Sequence, residues 1–351
     1  MAQTQPLPRS TPESQGIDSA GLLTLVDTLD QKIEHLHSLM IARHGKVVAE
    51  GWWAPYRAEK PHMLFSLSKS FTSSAIGLAV QEGILSLNDR VIDFFPDDLP
   101  ADVSDNLAAM ELRHLLMMGT GNHVDATPAL REDPDGNWVR AFLAQPVEHE
   151  PGTYFVYNSA ATYMCSAILQ KRTGSTVLDY LRPRLLDPLG IGEATWESCP
   201  RGINVGGWGL KITTEDILRF GVLYAQRGVW KGQRILTEEW IDQATSKQIS
   251  NSGNTEPDWR QGYGFQFWRC RHNAYRGDGA FGQYCIVLPE HDTVIAITSG
   301  VANMQAVLDV IWEYLLPALH AEPLSEDPAA HTRLVERQAA LALPTPVGQA
   351  T

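Results

Sequence analysis

The chain has 351 residues, 44% of them hydrophobic and 20% charged, which is enough apolar material for a large folded core and excludes a disordered chain. Its formal net charge is −13 with no basic block, which argues against nucleic acid or an anionic membrane surface as partner. No apolar run is long enough to span a bilayer, and the first residues lack both halves of a secretory leader, so the expected location is the cytoplasm. Cys165, Cys199, Cys270 and Cys285 stand far apart with no Cys-x-x-Cys pair, and read as buried thiols in a reducing compartment. No metal-binding cluster stands out, and no cofactor is expected.

Residues 1–16 are polar and proline-containing and read as an arm over the surface. Asp18 is placed to cap a helix over 19–33, with Leu22, Leu25, Val26 and Leu29 on one face. Segments 39–42 and 47–52, around Arg43-His44-Gly45-Lys46, predict a hairpin. From Phe65 to Gly83 the pattern predicts one helix, with Leu67, Phe71, Ala75, Leu78 and Ala79 at helical spacing and small residues over much of the rest.

Residues 87–206 are mostly helical. They include a short buried helix at 112–118, an Asp/Pro/Gly-rich loop at 125–137 placed to flank a cleft, and a helix entered through Pro151-Gly152 and Tyr157-Asn158-Ser159. After Gly206-Gly207-Trp208-Gly209 a helix is expected over 215–226, and Trp240 lies on the next one. Strands are expected at 263–270, 279–288 and 293–299, a helix at 303–320, and a helical, then proline-bearing tail over 321–351. Strands at both chain ends with helices between predict an α+β fold: an antiparallel sheet flanked by helices, with a mostly helical lobe inserted in a main unit over 17–320.

Three segments carry chemistry. Ser66 and Lys69 share a helix face in a first turn, where free N–H groups favour a developing negative charge. A serine hydroxyl needs a base to become a nucleophile, and a lysine supplies one once its pKa is lowered. The pair alone is common by chance. Tyr157-Asn158-Ser159 adds a phenol and two hydrogen-bonding side chains, and Gly277-Asp278-Gly279-Ala280 adds a glycine-rich strand that a substrate backbone can approach closely, although turn or bulge chemistry competes for those glycines.

In this order the three segments resemble the motifs of the serine β-lactamase and penicillin-binding-protein superfamily, especially its class C branch with family VIII esterase and 6-aminohexanoate-dimer-hydrolase-like relatives. The stretch 207–244 resembles the family between its second and third motifs, so the likeness runs over roughly 16–320. The resemblance implies a β-lactamase-like fold, with Ser66 as acylated nucleophile, Lys69 as base or relay and Tyr157 as proton carrier to the leaving group. It implies an oxyanion hole from the N–H groups of Ser66 and Ala280, with Ser159, Gly277, Asp278 and Gly279 meeting substrate. Which of Lys69 and Tyr157 is the first base stays open, since they titrate as a pair; an ammonium beside the phenol is expected to lower the tyrosine pKa.

Two departures matter. Ser159 stands where the family often has Asn, which shortens or removes an amide contact, and Gly277 stands where a cation is expected. Arg276 is adjacent, but on a strand it points to the opposite face. Asp278 faces either a cationic substrate or solvent. The reading is a serine hydrolase of a small ester or amide. A β-lactamase or D-alanyl-D-alanine carboxypeptidase is the enzymatic alternative, and a non-catalytic penicillin-recognising-type binding or sensor module is the alternative of another class. The oligomeric state is left open.

Overall fold

The computed structural model describes residues 5–344. Its frame is a six-stranded sheet, and the alternation of side chains along the central strands shows why both faces are covered. The strands are β1 (Leu36–Arg43), β2 (Lys46–Trp52), β8 (Trp268–Arg269), β9 (Tyr275–Gly279), β10 (Gln283–Leu288) and β11 (Thr293–Ser299), in the order β2-β1-β11-β10-β9-β8, antiparallel throughout. Short strands β3 (His62–Met63), β4 (Thr195–Trp196) and β5 (Leu210–Ile212) form a second sheet in the order β3-β5-β4, and β6 (Val229–Trp230) pairs with β7 (Gln233–Arg234).

Leu39, Ile41, Tyr284, Ile286, Ile295 and Ile297 point into one core, and Met40, Ala42, Cys285, Val287, Val294 and Ala296 into the other. Strands β1, β10 and β11 are buried along their whole length, as period-two strands must be when helices lie on both sides. The first core is closed by helices Ser19–Lys32 and Pro328–Ala339 and by Met304–Val310. The second is closed by Thr214–Ala225 and by helix Ser68–Gln81, beyond which lies the helical lobe.

Helix Ser68–Gln81 is buried from Ser68 to Ala79, and its small polar residues each find a partner. Ser70 donates to Gln266 O (2.8 Å), Thr72 to Gly206 O (2.9 Å) and Ser73 to Phe265 O (2.7 Å), while Ser74 pairs with Tyr224 (2.8 Å). Gln266 also donates to Leu115 O and Leu116 O and accepts from Thr162, so one side chain ties the lobe to the segment beside β8.

Several expectations are corrected. The helix expected from Phe65 begins instead with a 3-10 turn, Phe65–Leu67, and Gly83 beyond its end is left-handed (φ +70°), as a stop requires. Of the strand expected at 263–270 only Trp268–Arg269 and isolated bridges at Tyr263 remain, because Gln266 is left-handed (φ +66°) and breaks the run. The strand expected at 279–288 starts at Gln283, and the glycine motif lies on its own strand, β9, across a turn at 280–282. The helix expected at 303–320 continues past Val310 as a π turn, Ile311–Leu315, and a 3-10 turn, Leu316–Ala318. Of the expected N-terminal arm, residues 5–16 are pinned, with Leu7 in the core and Arg9 bridging to β2 beside Glu50, and residues 1–4 lie outside the described residues. The C-terminal helix docks on Ser19–Lys32 through Leu334 and through Arg337 paired with Asp27 (2.7 Å) and with Asp30. Residues 345–351 of the expected tail lie outside the described residues. All four cysteines are free and buried. Among the described residues no helix is long and apolar enough to cross a membrane.

Candidate active site

The site forms where the 3-10 turn Phe65–Leu67 meets β9 and the start of helix Ser159–Thr173. Ser66 is half-buried in the turn, whereas Lys69, one turn on, is buried. The Lys69 Nζ lies 2.9 Å from Ser66 Oγ, 2.9 Å from Ser159 Oγ and 2.7 Å from the Gly207 carbonyl oxygen. Burial pushes this lysine down to about 7, against the partial pull of the Asp125 and Asp278 charges. A neutral amine has two N–H donors and one lone pair. The Gly207 oxygen can only accept and Ser159 Oγ is a ready second acceptor, so the geometry leaves the lone pair for the Ser66 O–H.

Gly207 is the group that the sequence reading missed. Its role lies in the main chain, so no side-chain pattern announces it. A Cβ there would stand 2.9 Å from the Ser159 carbonyl oxygen, and this close approach is what brings the Gly207 carbonyl onto Lys69. The run Gly206-Gly207-Trp208-Gly209 was the available signal.

Tyr157 is half-buried on the approach to helix Ser159–Thr173, stacked on Trp268 with ring centroids 5.3 Å apart. Lys69 Nζ lies 4.9 Å from the centre of its ring. Burial and then the Asp278 charge hold this phenol well above its ordinary pKa, only partly opposed by the Ser66 hydroxyl. The expected lowering by an adjacent ammonium is therefore corrected: a buried lysine that ionises near 7 supplies little positive charge, and Asp278 supplies a negative one. Asn158, fully buried, caps the helix through Ala160 N and holds the loop carrying Asp125 through Ala126 N (3.3 Å).

The glycines of β9 face the nucleophile turn. A Cβ on Gly279 would come 2.0 Å from Leu64 O and 3.1 Å from Leu67 N, so only glycine lets the strand lie against the turn that carries Ser66. A Cβ on Gly277 would meet Ser70 Oγ at 2.4 Å and Leu67 Cδ1 at 2.5 Å. The close approach that these glycines permit is thus to the protein's own helix. Asp278 and Arg276 point to the other face, where Arg276 Nε donates to Asp278 at 2.9 Å and the guanidinium covers Trp259 at 4.1 Å. Both are buried, so Asp278 is a paired carboxylate, and the expectation of a solvated one is corrected. Ser159, in place of the expected amide contact to substrate, turns its hydroxyl onto Lys69.

A half-buried serine, a buried amine at its hydroxyl and a phenol alongside have the residue types of a β-lactamase-like serine hydrolase site. The chain belongs to the Beta-lactamase family, whose model matches residues 29–314. It is 24% identical over 315 residues to the 6-aminohexanoate-dimer hydrolase of Paenarthrobacter ureafaciens, covering 83% of this chain and 80% of that protein. Its fold is shared with a penicillin-binding-protein homologue from Caulobacter crescentus (TM-score 0.69, 17% identity, 86% and 97% of the two chains). It is shared too with a family VIII carboxylesterase (TM-score 0.64, 15% identity, 95% and 99%).

Proposed function

We propose that the chain hydrolyses neutral esters or amides through an acyl-enzyme on Ser66. The observation that carries this reading is the Lys69 amine, with its pKa near 7, at 2.9 Å from Ser66 Oγ. Lys69 takes the Ser66 proton as Oγ bonds to the substrate carbonyl carbon. The resulting oxyanion sits on the N–H groups of Ser66 and Ala280. Tyr157, held as a phenol, is the donor rather than the first base: it protonates the leaving group as the carbonyl–leaving-group bond breaks, and recovers its proton from the Lys69 ammonium. Water then cleaves the acyl-enzyme by the reverse proton path, releasing Ser66 and the acid.

Substrate class follows from β9. Arg276, the cation on that strand, is buried and held by Asp278, and Gly277 has no room for a cationic side chain, so β9 offers no free cation to a carboxylate beside the scissile bond. This favours a neutral ester or amide over a β-lactam or an acyl-D-alanine peptide, and the likeness to a 6-aminohexanoate-dimer hydrolase supports an amide. Four unpaired thiols support a reducing compartment, such as the cytoplasm. The test compares a p-nitrophenyl ester with a cephalosporin, each read against Ser66→Ala. The specificity constant for the ester should exceed that for the cephalosporin at least tenfold, on the order of one lost charge contact, and should vanish in the variant. The reverse order restores the β-lactamase reading. No stoichiometric release from either substrate supports the non-catalytic binding module.

A further inference from the structure

Two aromatic residues bracket the proposed oxyanion donors. Phe65 precedes Ser66 and Phe281 follows Ala280, and their rings meet edge to face with centroids 5.4 Å apart. Both backbones are left-handed, φ +47° at Phe65 and +65° at Phe281, a conformation that bulky residues seldom adopt. Phe281 is 52% exposed, so core packing does not account for its ring. Its main chain is nonetheless fixed, the carbonyl accepting from Val301 N (3.0 Å) and Ser299 Oγ (2.7 Å). A strained, pinned backbone that holds an apolar ring in solvent beside a nucleophile is a feature in search of a ligand.

We propose that Phe281, backed by Phe65, forms the acyl subsite, and that the preferred substrates carry an unbranched apolar acyl arm of several carbons. This deepens the hydrolase reading above and rests on it. In the tetrahedral intermediate the oxyanion points to Ser66 N and Ala280 N, and the leaving group to the phenol that protonates it. The acyl arm takes the remaining exit, past the two rings that flank the oxyanion donors. An aliphatic chain lying there removes its own apolar surface and that of Phe281 from water.

The experiment measures kcat/KM of the full chain for p-nitrophenyl acetate and hexanoate. A methylene half-covered by one open aromatic wall gains about twofold, so four added methylenes should favour hexanoate roughly tenfold or more. Phe281→Ala should bring that preference, read as the hexanoate-to-acetate ratio of kcat/KM within each variant, to about twofold or less; Phe281→Leu should restore most of it. A reading on the unaltered protein is independent of variant folding: pentylboronic acid should inhibit roughly tenfold more tightly than methylboronic acid. A preference unchanged in Phe281→Ala, or equal inhibition by the two boronic acids, overturns the acyl subsite and leaves the hydrolase intact. Loss of all Ser66-dependent turnover and fluorophosphonate labelling in the wild-type protein overturns the hydrolase reading and this subsite with it.

Discussion

Protonation of Lys69 is the perturbation that reports most about how this site works. Only the neutral amine can take the Ser66 proton, and burial places its ionisation near 7. At pH 5.5 about one molecule in thirty would hold the amine neutral, and at pH 6 about one in ten, so kcat/KM for an ester without titratable groups should rise about tenfold per pH unit and level off above 7. Ser159→Ala tests the geometry behind this limb. It removes one of three acceptors around Nζ, which disfavours the ammonium and moves the limb toward acid. It also frees an N–H to rotate onto Ser66 Oγ, competing with the lone pair. The loss of a hydrogen bond of this kind, worth about 1.5–3 kcal/mol, should lower the plateau about ten- to a hundredfold. Initial rates at constant ionic strength, with circular dichroism confirming the fold at each pH, give both quantities. A profile flat from pH 5.5 to 8.5, or an ascending limb near 10, refutes the neutral-lysine mechanism.

Further outcomes follow from the same contacts. Tyr157→Phe keeps the stack on Trp268 but removes the phenolic proton, so kcat should fall by roughly two to four powers of ten with KM little changed, as steady-state kinetics would register. Arg276→Met leaves the Asp278 carboxylate buried without its partner and should cost about 3–5 kcal/mol in urea unfolding, most of it recovered when Asp278→Leu is added. Lys69 ionises lower in the folded than in the unfolded chain, so the unfolded chain binds the proton more tightly and the lysine's cost to stability is full below pH 7 and fades toward 10.5. Lys69→Met should therefore raise Tm at pH 6 and lose that gain as the pH approaches 10, which scanning calorimetry across that range would follow.

Much of this was legible because periodicity and capping are local. Asp18 caps its helix through Ala20 N and Gly21 N, and Thr213 caps Thr214–Ala225, as the residue order alone suggests. The Ser66–Lys69 pair depends on a three-residue helical offset, and it survives the change from an α to a 3-10 start because both place those side chains on one side. What stayed hidden depends on contacts between distant segments. The run 263–270 has strand composition, yet Gln266 is drawn out of line by Thr162, Leu115 and Leu116, which only the folded chain brings near. Gly277 and Gly279 were expected to admit a substrate backbone, whereas the neighbours they meet are Leu64, Leu67 and Ser70, a partner out of reach of sequence reasoning. The direction of the Tyr157 shift needed the burial of Lys69 and the position of Asp278, neither of which the order of residues encodes.

The central claim is that Ser66 forms a covalent acyl intermediate. Intact-mass spectrometry of the chain after treatment with a fluorophosphonate, followed by peptide mapping, tests it most directly. The account predicts one adduct per chain, on the peptide containing Ser66, and none in Ser66→Ala. An adduct on another serine, or one that persists in Ser66→Ala, would contradict it.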